Sequence, residues 1–252
     1  MRPAYGGSTL SGFPVGVLTI KTSHPILPGN VQHAQSFFAP VIYEEVPISD
    51  VHALMRGEPD LLDPIVVAAK RLAMQGVRAI AGACGSFAYY QAAVANALNL
   101  PVFLSIMTQV PFIQQSLAAN KKLCIVCAAA ASINSRVFEQ CSIVDTSNLV
   151  IREMKGHPEF DRLLNGSESC APHRLRDEVV SLCEEVTERD STVAAFVLQC
   201  SELPPFGADI QRATGLPVFD MTLLIRWLQS ATDYLPYSGM LRERKARKTI
   251  SE

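Results

Sequence analysis

Two of the seven cysteines in this 252-residue chain occupy equivalent places in a repeated stretch of sequence. Val77–Phe103 and Val193–Phe219 align without a gap at an offset of 116 residues. The alignment places Cys84 on Cys200, and both copies end in Leu-Pro-Val-Phe. Any two strand–helix–strand units can be aligned loosely by chance, but chance rarely places a cysteine at the same position of both. The repeat therefore predicts a duplicated unit in which the two cysteines have equivalent roles.

The position of the two cysteines predicts acid/base chemistry. Each follows a short apolar run and precedes a helical pattern, which places it at the carboxyl edge of a parallel sheet, where ligands bind. The N–H groups and dipole of a following helix stabilise a thiolate, so we expect the pKa of each thiol to be lowered from about 8.5 toward neutrality. The same N–H groups would bind a substrate carboxylate. One thiolate can then remove a proton from one face of a carbon while the other thiol returns a proton to the opposite face.

Strand patterns alternate with helix patterns along the whole chain. The strand candidates are short and apolar: Pro14–Ile20, Val41–Val46, Ala79–Gly82, Val102–Leu104, Leu123–Cys127, Leu149–Ile151, Ala194–Leu198 and Pro217–Phe219. The helix candidates have apolar residues at helical spacing: Pro64–Gln75, Ala88–Leu98, Val110–Ala119, Ile133–Gln140, Arg174–Glu188, Phe206–Ala213 and Thr222–Ala231. This alternation predicts an α/β fold built from βαβ units. Together with the repeat, it predicts two pseudosymmetric domains, each a parallel sheet flanked by helices, with the active site in the cleft between them.

The remaining cysteines and the histidines show no metal-ligand spacing. Cys124 and Cys127 form a C-x-x-C pattern, but it falls in a predicted strand, where positions three apart point to opposite faces and do not easily chelate one metal ion. His24 and His33 flank the loop at residues 28–30, and either one of them lines the cleft or both are solvated. The sequence has no glycine-rich nucleotide motif and no G-x-S-x-G elbow. It therefore predicts neither a nucleotide site nor a serine hydrolase, and no metal site.

Composition narrows the class of protein. A formal net charge of −2 gives no indication of nucleic-acid binding by the chain as a whole. No apolar run approaches the roughly 18–20 residues of a membrane span, and the first apolar stretch is not typical of a signal peptide, so we expect a soluble cytoplasmic protein with no membrane partner. The basic tail, Arg242–Lys248, is either a solvated terminus or a segment that binds polyanions or directs localisation.

The cysteine segments resemble those of the aspartate/glutamate/hydantoin racemase superfamily, whose members use two cysteines and no cofactor. Leu198–Ile225, LQCSELPPFGADIQRATGLPVFDMTLLI, is similar to the second cysteine motif. Ala81–Phe87, AGACGSF, is similar to the first. Pro28–Phe37, PGNVQHAQSF, with Thr22 upstream, is similar to the loop that follows the first strand on the substrate side.

The resemblance implies a division of the chain and a set of site residues. One domain would hold residues 1–108 and 221–252, with the C-terminal helix returning to it, and the other would hold residues 109–220. Cys84 and Cys200 would be the catalytic residues. The polar groups around the substrate would come from six further residues: Thr22, Asn30, Gly85, Ser86, Thr108 and Ser201. The expected ligand is a small carboxylate, no cofactor is expected, and a homodimer or higher homo-oligomer is the expected assembly.

The predicted function is cofactor-independent racemisation or epimerisation of an amino-acid-like carboxylate, with one cysteine on each face of the Cα. Glutamate racemases usually have threonine after the first cysteine and Thr-His after the second, whereas here Gly85-Ser86 and Ser201-Glu202 follow. The resemblance therefore does not imply glutamate as the substrate. Two alternatives stay open: a cysteine-dependent cis–trans isomerase or decarboxylase of a small dicarboxylic acid, and a small-acid-binding protein without catalysis. The presence of both cysteines argues against an arylmalonate decarboxylase-like enzyme, which keeps one.

Overall fold

The computed structural model describes residues 11–234, and the basic tail predicted to be solvated or polyanion-binding lies outside them. Eight strands run through this part of the chain: β1 (Val15–Thr19), β2 (Val41–Glu45), β3 (Ala79–Gly82), β4 (Val102–Phe103), β5 (Lys122–Cys127), β6 (Leu149–Glu153), β7 (Val193–Leu198) and β8 (Val218–Asp220). They form two four-stranded sheets, in the orders β2-β1-β3-β4 and β6-β5-β7-β8. Every strand pair is parallel. The predicted fold class is therefore confirmed.

The sequence repeat is also a repeat in hydrogen bonding. Ile80 pairs with Val102 between β3 and β4, and Phe196 pairs with Val218 between β7 and β8, which is the same register shifted by 116 residues. The backbone N–H of Ile80 donates to the carbonyl of Pro101 at 2.9 Å, as that of Phe196 does to the carbonyl of Pro217. The two sheets are thus copies of one strand arrangement.

Nine α-helices connect these strands within the described residues: α1 (Val51–Arg56), α2 (Leu62–Met74), α3 (Gln91–Asn96), α4 (Val110–Ser116), α5 (Ser135–Gln140), α6 (Pro158–Leu164), α7 (Pro172–Arg189), α8 (Gly207–Thr214) and α9 (Met221–Thr232). The predicted helix Ala88–Leu98 is a 3₁₀ segment, Gly85–Tyr90, followed by the short α3. Helices α1 and α6 were not predicted, because neither is longer than seven residues and periodicity over so few positions is not diagnostic.

Alternate residues of the second sheet enter two separate cores. Cys127 of β5 and Val197 of β7 pack into a core shared with the whole first sheet. Cys124 and Phe196, on the opposite face, pack into a second core beneath α6, α7 and α8. The prediction that Cys124 and Cys127 point to opposite faces is confirmed, and the C-x-x-C pattern reflects the two-residue period of a buried strand.

The last helix of the described chain packs back toward the first sheet. Helix α9 contacts β1 and β3, as well as β8, which directly precedes it. Asp220 begins this helix by accepting a hydrogen bond from the N–H of Leu223 at 2.9 Å. The division into residues 1–108 with 221–252 and residues 109–220 stays a prediction, since part of those ranges lies outside the described residues.

Candidate active site

A cavity of about 370 Å³ lies where the carboxyl ends of the inner strands of the two sheets meet. Its floor consists of the segments that follow β1, β3 and β7: residues 20–24, 83–86 and 199–202. Its walls come from residues 48–52 at the start of α1, from Met55, and from Phe160 and residues 163–166 of α6 and the turn after it. The volume is in the range of small-molecule sites, about 300–1,000 Å³. Ligands bind at this edge of parallel sheets, so the cavity is the candidate active site.

Cys84 and Cys200 both line this cavity, and their local backbones match. The N–H of Ala83 donates to Leu18 of β1, and the N–H of Gln199 donates to Val126 of β5, each at 2.8 Å. These bonds hold each cysteine loop to the central strand of its sheet. The thiol of Cys84 is close enough to Cys200 for its charge to raise the pKa of the Cys200 thiol. The pair lies in one cavity, as the facing arrangement requires.

The backbone two residues further along the chain favours the ionised form of each thiol. Hydrogen bonding by the N–H of Ser86 lowers the pKa of the Cys84 thiol, and hydrogen bonding by the N–H of Glu202 lowers the pKa of the Cys200 thiol. The side chains of Ser86 and Glu202 have opposite effects on ionisation of the two thiols. The Ser86 hydroxyl is a second donor to Cys84, whereas the Glu202 carboxylate opposes ionisation of Cys200.

The prediction that both thiols have a lowered pKa is wrong for this structure. Burial raises the pKa of the Cys84 thiol above its ordinary value, and the two hydrogen bonds from Ser86 only partly offset it. Burial, followed by the charge of Glu202, raises the pKa of the Cys200 thiol well above its ordinary value. The physical reason is that each cysteine precedes a short 3₁₀ segment, so no long helix directs its dipole at the sulfur. Desolvation therefore dominates.

Four of the six predicted substrate-binding residues line the cavity: Thr22, Gly85, Ser86 and Ser201. Asn30 is fully buried behind the cavity wall, where its Nδ2 donates to Oε2 of Glu202 at 2.7 Å. Thr108 lies away from the cavity, and its hydroxyl donates to the carbonyl of Ser105 at 2.8 Å within a 3₁₀ turn. The structure thus brings four of these residues together with the cysteines and places Asn30 behind Glu202.

Glu202 and His24 form a polar pair at the cavity wall. Of the two histidines that the sequence offered for the cleft, His24 lines the cavity and His33 does not, whereas Glu202 was given no role. Nε2 of His24 lies 3.1 Å from Oε1 of Glu202, and the two side chains are 11% and 9% exposed. The contact lacks hydrogen-bond geometry, and Nε2 has no other hydrogen-bond partner. The position of Glu202 was visible in the repeat, because it is the counterpart of Ser86. Helix α6 gave no such signal.

Among residues 11–234, no three His, Cys, Asp or Glu side chains are grouped so that they would hold a metal ion. In the same range, no helix is long and apolar enough to cross a membrane.

Sequence comparison finds curated relatives that are named dimethylsulfoniopropionate lyases. Dimethylsulfoniopropionate lyase 3 of Emiliania huxleyi is 30% identical over 220 residues, which cover 82% of this chain and 56% of that protein. Dimethylsulfoniopropionate lyase of Durusdinium sp. clade D is 26% identical over 213 residues, covering 82% of this chain and 70% of that protein. The chain thus spans little more than half the length of the first of these relatives. No family model matches the sequence.

Comparison with solved structures identifies the fold. Allantoin racemase of Pseudomonas fluorescens superposes with a TM-score of 0.59 and 14% identity over 86% of this chain and 89% of that chain. An aspartate racemase homologue of Pyrococcus horikoshii superposes with a TM-score of 0.56 and 16% identity over 86% of this chain and 98% of that chain. Arylmalonate decarboxylase superposes with a TM-score of 0.54 and 16% identity over 87% of this chain and 92% of that chain. The chain therefore has the fold that these racemases share with arylmalonate decarboxylase.

Proposed function

We propose that this protein is an enzyme that removes a proton from the carbon next to a substrate carboxylate, with the cavity thiols as its acid/base groups. The observation that carries the proposal is the matched pair Cys84 and Cys200. Both line one cavity, and at each of them the backbone N–H of the residue two positions later lowers the pKa of the thiol. A thiol held in this way is a positioned proton donor or acceptor.

The unequal surroundings of the two thiols favour different roles. Cys84, with two donors from Ser86, is the thiol whose ionised form is better stabilised, so we assign it the role of base. Cys200, beside the Glu202 carboxylate, is held as the neutral thiol and serves as a proton donor. Environments that move two pKa values apart are the usual basis for such an assignment.

The relatives favour elimination as the outcome, because sequence identity to named lyases reaches 30% whereas identity to the racemases is 14–18%. In this reaction the Cys84 thiolate takes the α-proton. The electron pair of that C–H bond forms the α,β double bond, and the bond from the β-carbon to the leaving group breaks. The leaving group departs with its bonding pair, and the proton on Cys84 passes to water. With dimethylsulfoniopropionate, the products are acrylate and neutral dimethyl sulfide.

Racemisation or epimerisation of an amino-acid-like carboxylate is the second candidate. The presence of a second thiol, Cys200, in the same cavity favours it, because inversion needs a proton donor on the face opposite the base. A decarboxylase of a small dicarboxylic acid would also pass through the same carbanion, with a cysteine as proton donor. All of these reactions need stabilisation of negative charge on the substrate carboxylate. The hydroxyl of Thr22 is the donor that we propose for this role, because the Ser86 and Ser201 hydroxyls already donate to the Cys84 sulfur and to Glu202.

Product analysis separates the two candidates. The purified protein is incubated with dimethylsulfoniopropionate, and dimethyl sulfide and acrylate are measured; separate samples with enantiopure amino acids and hydantoins are examined by chiral chromatography. Elimination that is lost in Cys84→Ser supports the lyase. Racemisation that is lost in both Cys84→Ser and Cys200→Ser supports the second candidate. Turnover of either kind that is unchanged in both variants contradicts the proposal.

A further inference from the structure

We infer that Glu202 is a specificity-determining residue that binds a cationic group on the β-carbon of the substrate, so that the cavity selects an onium carboxylate over a neutral one. The inference deepens the proposed function and rests on it for the placement of the substrate beside the thiols. It rests independently on the charges that surround the cavity.

Glu202 is the buried acidic side chain of the cavity wall. It is 8% exposed, and the two side chains that donate hydrogen bonds to its carboxylate are neutral. Oε2 accepts a hydrogen bond from Nδ2 of Asn30 at 2.7 Å, and Oε1 accepts one from the hydroxyl of Ser201 at 3.3 Å. These bonds orient the carboxylate but carry no compensating charge. A buried carboxylate without a cationic partner is costly, and a bound cation removes that cost.

The basic group within ion-pair distance of Glu202 is the imidazole of His24. His24 is in contact at 3.1 Å, but an imidazole is a counter-ion only when protonated, and Nε2 makes no hydrogen bond. The other basic and acidic residues of the cavity lining, Lys21, Asp50 and His52, are exposed to solvent. Exposed charges are screened far more than buried ones. Glu202 therefore dominates the charge that a bound molecule meets.

This charge restricts the substrate. The charge of Glu202 opposes ionisation of both thiols. A substrate whose only charge is its carboxylate is repelled by Glu202, and abstraction of its α-proton by Cys84 is therefore disfavoured. A sulfonium or quaternary ammonium group on the β-carbon supplies the missing positive charge. Elimination then converts the sulfonium into a neutral sulfide, so the attraction to Glu202 is lost and release of the products is favoured.

Two isosteric acids test the inference by binding alone. The trimethylammonium acid, 3-(trimethylammonio)propanoate, and its carbon analogue, 4,4-dimethylpentanoate, have the same shape and carboxylate and differ only in the cationic atom. Their dissociation constants are measured by calorimetry at pH 8. We expect the wild-type protein to bind the onium acid at least tenfold more tightly than the neutral acid. Glu202→Gln should reduce this preference to less than threefold.

The matched control is Glu139→Gln, which makes the same substitution at an exposed position of α5 outside the cavity lining. It should keep the full preference, and Glu202→Asp, which retains the charge, should keep most of it. Equal affinities for the two acids in the wild-type protein would overturn the inference, and this comparison does not depend on whether the Glu202→Gln variant folds. A preference that survives in a folded Glu202→Gln protein would overturn it as well.

Failure of this inference is distinguishable from failure of the proposed function. If the onium preference is absent while elimination or racemisation is lost on removing Cys84, the proton-abstraction proposal stands and only the role of Glu202 is wrong. If the preference is present but no acid is turned over, the binding role stands without the reaction.

Discussion

Gly85 and Gln199 lie in such close contact that a single added carbon would force the two cysteine loops apart. A Cβ on Gly85 would overlap the backbone carbonyl oxygen of Gln199, as well as its side-chain amide. Gly85 follows Cys84, and Gln199 precedes Cys200. The separation of the two sulfurs is therefore set by backbone packed on backbone, which gives way less readily than a flexible side chain.

Gly85→Ala should thus separate the thiols without unfolding the protein. We expect at least a tenfold loss of kcat/KM on the active substrate, because displacements of about 1 Å at a reacting pair have effects of up to about 100-fold. Gly207→Ala is the matched control, since a Cβ there would meet nothing closer than Asp220 Oδ2 at 3.7 Å. Steady-state kinetics and circular dichroism of both variants make the comparison. Full activity in Gly85→Ala would show that the loops tolerate a wider spacing.

The pH dependence of the reaction should reflect the raised pKa of the Cys84 thiol. A base works only when deprotonated, and burial keeps this thiol protonated above the range of an ordinary cysteine. We therefore expect kcat/KM for the free enzyme to be still rising with pH at pH 9, about tenfold per unit on the acidic side. A pH–rate profile between pH 6 and 10 checks this. A plateau below pH 8 would contradict the assignment of Cys84, with this pKa, as the base.

Ser86→Ala should move this rising limb to higher pH. Hydrogen bonding by the hydroxyl lowers the pKa of the Cys84 thiol, so its removal should raise that pKa. Ser201→Ala serves for comparison, because the Ser201 hydroxyl donates to Glu202 and not to a thiol. It should change the rate without moving the limb. A limb that stays in place in Ser86→Ala would argue against the serine as a donor to the thiolate.

Four buried thiols outside the site should make the fold less stable at alkaline pH. Burial raises the pKa of each to about 12: Cys124, Cys127, Cys141 and Cys183. An unfolded cysteine ionises at about 8.5, so above that pH the folded state binds more protons, and the free energy of unfolding falls as pH rises toward 12.

Each of these thiols lowers the free energy of unfolding by up to ~1.4 kcal/mol per pH unit in this range. Urea unfolding at pH 7.5, 8.5 and 9.5 measures it, with Cys183→Ala as the variant that removes one of the four groups. The variant should show a shallower pH dependence than the wild-type protein, whatever its absolute stability. An identical slope in the two proteins would show that the Cys183 thiol is not protected from ionisation in the folded state.

The sequence predicted the sheets well because buried parallel strands are short apolar runs bounded by turns. The repeat was informative for a further reason, since two copies of one unit must hold equivalent residues at equivalent backbone positions. Cys84 and Cys200 could be paired in this way, and the pairing of Ile80 with Val102 and of Phe196 with Val218 follows the same offset. Local pattern was sufficient for each of these features.

The rest of the site depends on contacts between distant segments, which local pattern does not encode. Asn30 is separated by 172 positions from Glu202, and nothing in its loop indicates that its amide turns inward to hold that carboxylate. The thiol pKa values were predicted in the wrong direction for a related reason. A helix does follow each cysteine, but it is preceded by a 3₁₀ segment. That segment and the burial of the thiol depend on tertiary packing, which the local sequence pattern does not encode.

Proton exchange at the α-carbon tests the central claim most directly, because it reports abstraction whether elimination or inversion follows. The substrate identified by product analysis is incubated in D₂O, and recovered substrate and product are examined by NMR for deuterium at that carbon. Wild-type protein and Cys124→Ala, which removes a buried thiol outside the cavity, should give the same exchange or turnover. Cys84→Ala should abolish both. Undiminished exchange or turnover in Cys84→Ala would contradict the account.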